Sequence, residues 1–273
     1  MAAQQLGRLG FVGCGTIVSA VVEGLCTLPA ASRAAHLCAA PLLLAPRGQS
    51  QRLRTAHGPK VEVAADNQAV LDASDTVVMG LTPQHARAAL APLRFRAGTV
   101  VVSLMHGVSP AALLALPASP PGTVVRVNPL PGVAHHSGIA AVWPPHAAVA
   151  SLFGLLGAVT ETAELDAFHA MHAATTVMGP LYAMQQGVAA WLMTEAGGAL
   201  GEAEAQCYVG SMFAAIANDA CAAPKSCDFA MLVGEQTPGG LNEQNIARLR
   251  EAGLFDAVLG ALSTTLRANK AGP

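Results

Sequence analysis

The sequence predicts an α/β protein in two parts: an N-terminal doubly wound parallel sheet, followed by an all-α domain. Three observations predict it. Short apolar, β-branched runs alternate with helical patterns through the first half. Two glycines flank Cys14 at the first strand-to-helix turn. From Asp166 to Ala223 the spacing is helical, with no convincing strand. Continuous apolar strands separated by helices require cover on both faces, which is the arrangement of a parallel sheet.

The elements follow in order. Leu9-Gly10-Phe11-Val12-Gly13 reads as the first strand, and a helical pattern from Thr16 to Leu28 follows it. Leu42-Leu43-Leu44-Ala45 is the second strand, followed by a basic helical piece around Arg52 and Arg54. Val61-Glu62-Val63 is a third, short strand. Asp75 to Leu81 reads as a buried strand, and Pro83 opens the next helix, because proline suits a first helical turn. Thr99 to Leu104, Val124 to Val127 and Ile139 to Trp143 are further strands. Gly187, Gly197, Gly198 and Gly201 permit close helix approach in the second half. The loop Thr237-Pro238-Gly239-Gly240 precedes a last amphipathic stretch, Asn242 to Arg267. The boundary falls at about residues 163 to 166, giving domains 1–164 and 165–273.

Composition bounds the function. Of 273 residues, 52% are hydrophobic and 12% charged, with 15 basic and 17 acidic residues and a net charge of -2. A large core is available and intrinsic disorder is excluded. No basic patch serves a nucleic-acid backbone or an anionic membrane. Mean hydropathy is +0.44, yet prolines such as Pro110, Pro117, Pro129 and Pro131 interrupt the stretches that lack charge, so neither reads as a membrane span. The N-terminus lacks the pattern of a signal peptide. The 6 cysteines, Cys14, Cys26, Cys38, Cys207, Cys221 and Cys227, show no zinc spacing and read as free thiols of a reducing cytoplasm. So apolar a chain, with a helical half rich in Gly, Ala and Met, is expected not to be monomeric but to form a homodimer or a higher oligomer.

Gly13-Cys14-Gly15 is the candidate dinucleotide loop. The first glycine permits the tight turn. The second lets backbone approach a pyrophosphate seated on the helix N-terminus at Thr16 and Ile17. The third small position of that pattern is Val18 here, with Ala20 and Gly24 further along the helix. These features predict a Rossmann domain. After the second strand, no acid is available for a ribose 2′-hydroxyl. Arg47, Ser50, Arg52 and Arg54 stand there instead. They read either as a 2′-phosphate site, hence NADP(H), or as a solvated basic helix face.

These residues resemble the pyrroline-5-carboxylate reductase family over nearly the whole chain. The segment from Leu9 to Gly15 is similar to its first strand and phosphate loop. Asp66-Asn67 and Val77 to Gln84 resemble its asparagine and VILAVKPQ strand end. Val101 to Val108 resembles VISIAAGV. Arg126 to Pro129 resembles the start of RxMPN, Gly179-Pro180-Leu181-Tyr182 resembles GPAY, and Thr237 to Gly240 resembles SPGGTT. The resemblance implies NADPH-dependent reduction of a cyclic imine to proline by interlocked subunits. It implies cofactor contacts at Asn67, at Leu81, Thr82 and Pro83, and at Ser103 and Met105. It implies a substrate carboxylate held by Thr237, Pro238, Gly239, Gly240, Leu241 and Asn242. Thr82 stands for the family's lysine, Met105-His106 for its Ala-Ala, and Leu241-Asn242 for its Thr-Thr.

Imine reduction asks orientation, charge complementarity and exclusion of water from the protein, while the cofactor supplies the hydride. His106 and Asn242 are the candidate catalytic residues. His106 either protonates a product nitrogen or ketone oxygen or is a loop histidine without a role. Asn242 either caps the last helix or bonds the substrate. His135-His136 and the pair His169/His172 lack further ligands at metal spacing, so no metal site is expected. Three functions stay open on this reading: a pyrroline-5-carboxylate reductase, a reductase of the same fold acting on another imine or ketone, and a dinucleotide-binding protein without turnover.

Overall fold

A computed structural model describes residues 6–222 and 229–271. The chain divides into two compact units, Met1–His172 with Leu266–Pro273, and Ala173–Thr265.

The first unit is built as β1 (Leu9–Val12), α1 (Thr16–Thr27), α2 (Ala30–His36), β2 (Leu42–Leu44), α3 (Ser50–His57), β3 (Val61–Val63), α4 (Asn67–Ala73), β4 (Thr76–Met79), α5 (Pro83–Leu90), β5 (Val100–Ser103), α6 (Pro110–Ala115), β6 (Thr123–Pro129), β7 (Gly138–Trp143), α7 (Ala147–Gly154) and β8 (Gly157–Glu161). Among the described residues these strands form one eight-stranded sheet, ordered β3-β2-β1-β4-β5-β6-β7-β8. Side chains alternate across the sheet. Phe11, Val78, Val102 and Val125 pack with α1, α3 and α7 on one face. Val12, Val77, Val101 and Met79 pack with α4, α5 and α6 on the other. Burying a side chain of this size stabilises by about 1.5–3 kcal/mol, so the two apolar layers outweigh any single turn in holding the sheet.

Two expectations are corrected. The sheet is not wholly parallel: β7 runs antiparallel to β6, pairing Val127 with Val142. The segment 130–137 between them holds a 3-10 turn, Pro131–His135. It is shorter than the dozen or so residues that a parallel crossover needs. The sheet also continues one strand further, to β8, parallel to β7. Both rims carry a glutamate. Glu62 on β3 pairs with Arg8 at 2.7 Å, and Glu161 on β8 accepts from the His146 amide at 2.8 Å.

α1 lies close on the sheet. A side chain at Gly24 would overlap the Val133 carbonyl oxygen of the 3-10 turn, so this glycine sets that approach. Val18 is accommodated from the other side. Gly80, just past β4, leaves the room that Val18 Cγ2 fills, and a Cβ there would overlap it. Val18 therefore does not hold α1 off the sheet.

The second unit is helical: the end of α8 (Leu165–Thr175), then α9 (Met178–Glu195), α10 (Glu202–Ala222), α11 (Phe229–Gly234), α12 (Leu241–Glu251) and most of α13 (Leu254–Ala271). The stretch expected as one amphipathic element, Asn242 to Arg267, is two helices. The break falls at Ala252-Gly253, where Gly253 adopts φ +75°. Ala189, Ala205 and Val209 form its small buried cluster, while Trp191, Tyr208, Ile216 and Leu259 stay exposed. Cys14 and Cys26 are buried free thiols, and Cys38, Cys207 and Cys221 are exposed ones. Cys227 lies outside the described residues. No single described helix is long and apolar enough to cross a membrane.

Candidate active site: a nucleotide cleft and a histidine-arginine cluster

The strand order reverses between β1 and β4, and open α/β sheets bind ligands at the carboxyl ends of strands at such a point. A cleft of about 1020 Å³ opens there. Gly13, Cys14, Gly15, Arg47, Asn67, Leu81 and Thr82 all line it, so the structure brings these sequence-predicted residues together. Thr16, Ile17, Ser50, Pro83, Ser103 and Met105 are not among its lining.

The glycines shape the cleft in different ways. Gly13 adopts φ +85°, and a Cβ there would come within 2.8 Å of the Gly80 carbonyl. Gly48, φ +82°, lies on the Cys14 backbone, where a side chain would overlap the Cys14 carbonyl. Gly15 differs: nothing lies within 4 Å of the position its side chain would take. It caps α1, with extended backbone and no side-chain cap, and the first turn of α1 holds no acid. Free amides, the helix dipole and open space together suit a phosphate group. Cys14 contributes backbone. Its thiol is buried, and burial pushes its pKa up, against a weaker opposing hydrogen bond from Ser50. A thiol so placed is a filler, not a nucleophile.

The Arg47 end of the cleft bears on coenzyme choice. Of the basic residues after β2, Arg47 lines the cleft. Arg52 is engaged elsewhere, with Glu23 at 2.8 Å and Gln49 at 2.6 Å. Ser50 is buried and donates to the Ala45 carbonyl at 2.5 Å, so it braces the turn that presents Arg47. Sequence reasoning missed Gln68, His85 and Arg94, which also line the cleft. Gln68 clamps the Arg94 backbone through two 2.9 Å hydrogen bonds. His85 Nδ1 shares a 2.8 Å hydrogen bond with Thr82 Oγ1. Asp66, the acid among these lining residues, caps α4 by accepting from the Ala69 amide at 2.8 Å. These three residues belong to no motif, and only the α5 helix and the following loop carry Arg94 and His85 to the cleft.

Past β5 the character changes. Ser103 and Met105 are buried, and the Ser103 hydroxyl accepts from the Met105 amide at 3.4 Å. His106 is exposed on the loop. Its ring meets His172 of α8 edge-on, with centroids 4.8 Å apart. Arg126 sits beside Ser103 in the β5–β6 register and donates from Nη1 to His169 Nε2 at 3.2 Å. The Phe168 ring lies 4.9 Å from its guanidinium carbon. So His169 and His172 turn toward the strand ends, a grouping invisible in the sequence because Arg126 and His169 stand far apart in the chain. Among the described residues no group of three His, Cys, Asp or Glu side chains could hold a metal.

Burial first, and then the neighbouring His106, Arg126 and His169, push the His172 pKa down to about 4. The imidazole is therefore neutral in the fold, whereas an unfolded histidine gains a proton below about pH 6.5. Acid then favours the unfolded chain between about pH 6.5 and 4, and adds nothing further below that range. Discounted for its partial exposure, the loss is about 1–2 kcal/mol. Urea midpoints at pH 7 and pH 4.5 check this. His172→Gln should flatten the pH dependence, and an unchanged slope would exclude the assignment.

In the helical unit, the turn Thr237 to Gly240 is closed by the Gly240 amide donating to the Thr237 carbonyl at 2.8 Å. The Gly239 amide donates to the Glu243 carboxylate at 2.6 Å. Both glycine amides expected to face a substrate thus have partners within the chain, one of them an anion. Gly240 caps α12. Leu241 and Asn242 form its first turn, and Asn242 Nδ2 donates to Gln236 Oε1 at 3.0 Å, so Asn242 is not the cap.

Comparison with known proteins agrees with this geometry. Residues 8–107 match the family described as NADP oxidoreductase coenzyme F420-dependent. No curated protein matches the chain in sequence. Among solved structures, the 1-pyrroline-5-carboxylate reductase of Streptococcus pyogenes superposes with a TM-score of 0.76 at 21% identity, over 97% of this chain and 98% of that one. The pyrroline carboxylate reductase of Plasmodium falciparum, solved with NADP bound, gives 0.74 at 14% identity, over 98% and 99%. The reductive aminase of Aspergillus terreus, in complex with NADPH4, cyclohexanone and allyl amine, gives 0.55 at 15% identity, over 96% and 90%. The chain carries an NADP-dependent oxidoreductase domain at its N-terminus, on the fold of the pyrroline-5-carboxylate reductases.

Proposed function

We propose that the protein reduces a carbon–nitrogen double bond with NADPH, and that its substrate is pyrroline-5-carboxylate, reduced to proline. The observation that carries this is the cleft at the β1–α1 turn, with open space at Gly15 and Arg47 where an acid would select NAD. A bound dihydronicotinamide supplies hydride. The chain's own residues have three tasks. The amides at the start of α1 hold the diphosphate, Arg47 faces the 2′-phosphate, and His106 holds a proton for the product nitrogen. No strong base is needed, because a protonated iminium is already electrophilic.

NADPH oxidation in the presence of pyrroline-5-carboxylate tests the reaction, and complementation of a proline auxotroph tests it in a cell. For the coenzyme, Arg47→Ala should weaken NADPH binding by about tenfold, roughly 1.4 kcal/mol, and leave NADH binding unchanged. Equal affinity of the parent for both coenzymes would refute the 2′-phosphate role.

A second reading is a reductase of the same kind acting on another imine or a ketone. Leu241-Asn242 and Met105-His106 favour it, since both depart from the pattern the chain resembles. A panel of cyclic imines and 2-keto acids separates the two. Binding without turnover loses one of its motives, because Gly80 accommodates Val18.

The proposal includes a homodimer in the cytoplasm. The helical unit buries few side chains of its own, and Trp191 and Tyr208 remain 59% and 63% exposed. Apolar surface of this kind marks an association face. Light scattering should report a dimer at micromolar concentration, and a monomer would refute it. Cell fractionation checks the compartment.

A further inference from the structure

Arg126 is 8% exposed, yet among the described residues no carboxylate lies within ion-pair distance of it. Its neighbours are the phenyl ring of Phe168 and the imidazole of His169. Neither carries negative charge. An arginine has five N–H donors, and His169 Nε2 takes one of them. A buried cation without a counter-ion is among the costliest arrangements a fold can hold.

His169 adds an unmet donor. Arginine only donates, so His169 Nε2 accepts, and the proton of the neutral ring sits on Nδ1. That Nδ1 is buried with no hydrogen-bond partner. His172 lies in the same field, acted on by Arg126, His169 and His106, and His106 opens the cluster to solvent. In the helical unit, by contrast, the Gly239 amide already holds an anion of the chain's own, Glu243.

We propose that Arg126, His169 and His172 form an anion site that takes a carboxylate group of the substrate beside the end of β5, where Arg126 of β6 pairs with Ser103. That the ligand is the substrate rests on the reductase reading; that the site binds a carboxylate does not. The carboxylate would neutralise Arg126 and accept from His169 Nδ1, meeting both deficits with one group.

The test uses the full-length protein without nucleotide, labelled with 15N-histidine. Acetate is titrated in, with acetamide as the neutral isostere. The expected result is a saturable shift of the His169 and His172 resonances with acetate and none with acetamide. His169→Asp places a carboxylate beside Arg126, so it should abolish the response at His172 and raise Tm. Arg126→Gln, its fold checked by circular dichroism, should abolish the response without that gain. Equal responses to both probes, or none, would overturn the proposal. So would a His169→Asp variant that keeps its acetate response. A response that appears only on dilution to monomer would assign the counter-ion to a second copy of the chain, and the proposal would fail. Since neither nucleotide nor turnover enters the measurement, failure of the reductase reading would show in the NADPH assays and leave this result intact.

Discussion

Gly15→Val should leave the chain folded and weaken NADPH binding by at least about tenfold, roughly 1.4 kcal/mol. The reason is local. The backbone at Gly15 is extended, with φ -81° and ψ -168°, which any residue adopts. Its missing side chain faces open space. A valine there clashes with nothing in the protein, and loss of a good helix cap costs only about 0.5–1 kcal/mol. It does fill the volume through which a diphosphate must approach the amides of α1. Gly13→Val is the contrasting variant. With φ +85° and the Gly80 carbonyl in the way, it should lose stability and binding together. Calorimetry and thermal melts on both variants separate the effects. Normal NADPH affinity in Gly15→Val would place the coenzyme elsewhere.

Gly80→Ala should destabilise by about 2–3 kcal/mol, within the range of overpacked cores. Gly80 is not held at positive φ, so the cost is steric and comes from the overlap with Val18 Cγ2. Val18→Ala should recover most of it. The two sites therefore couple strongly in a double-mutant cycle, as contacting residues do. Urea denaturation of the four proteins measures the coupling. Additive effects would mean that α1 shifts to make room and that Val18 does not depend on Gly80.

Much of the first unit was legible because its signals are short-range. Leu9 to Gly15 announces a strand, a tight turn and a helix within seven positions, and Pro83 marks the start of α5 where it stands. Val18 could not be judged locally, because its compensation comes from Gly80, just past β4 and far along the chain. The reversal of β7 was legible in principle: residues 130–137 are too few for a parallel crossover. β8 was not. Gly157–Glu161 follows the apolar end of α7 without a polar break, and its side chains alternate weakly between half-buried and exposed. The break in the last amphipathic stretch rests on one glycine, Gly253, inside an otherwise helical pattern.

The candidate site divides in the same way. Gly13, Gly15, Arg47, Asn67 and Thr82 lie at successive strand ends, so topology alone gathers them in the cleft. Arg94 and Gln68 reach it through a side-chain-to-backbone clamp that no spacing encodes. The Arg126–His169 contact joins β6 to a helix that follows two further strands, and only the folded chain brings the two together. Gly239 shows the opposite limit. Its motif suggested a free amide, but the acid four residues on, Glu243, already accepts from it.

The rims of the sheet carry a last consequence. Each outer strand is short and ends its lateral row with a negatively charged side chain, Glu62 on one side and Glu161 on the other. Such charges discourage accretion of a foreign strand. A polypeptide this greasy could otherwise polymerise edge to edge; fibril assays on Glu161→Val should show the seeding that the parent resists.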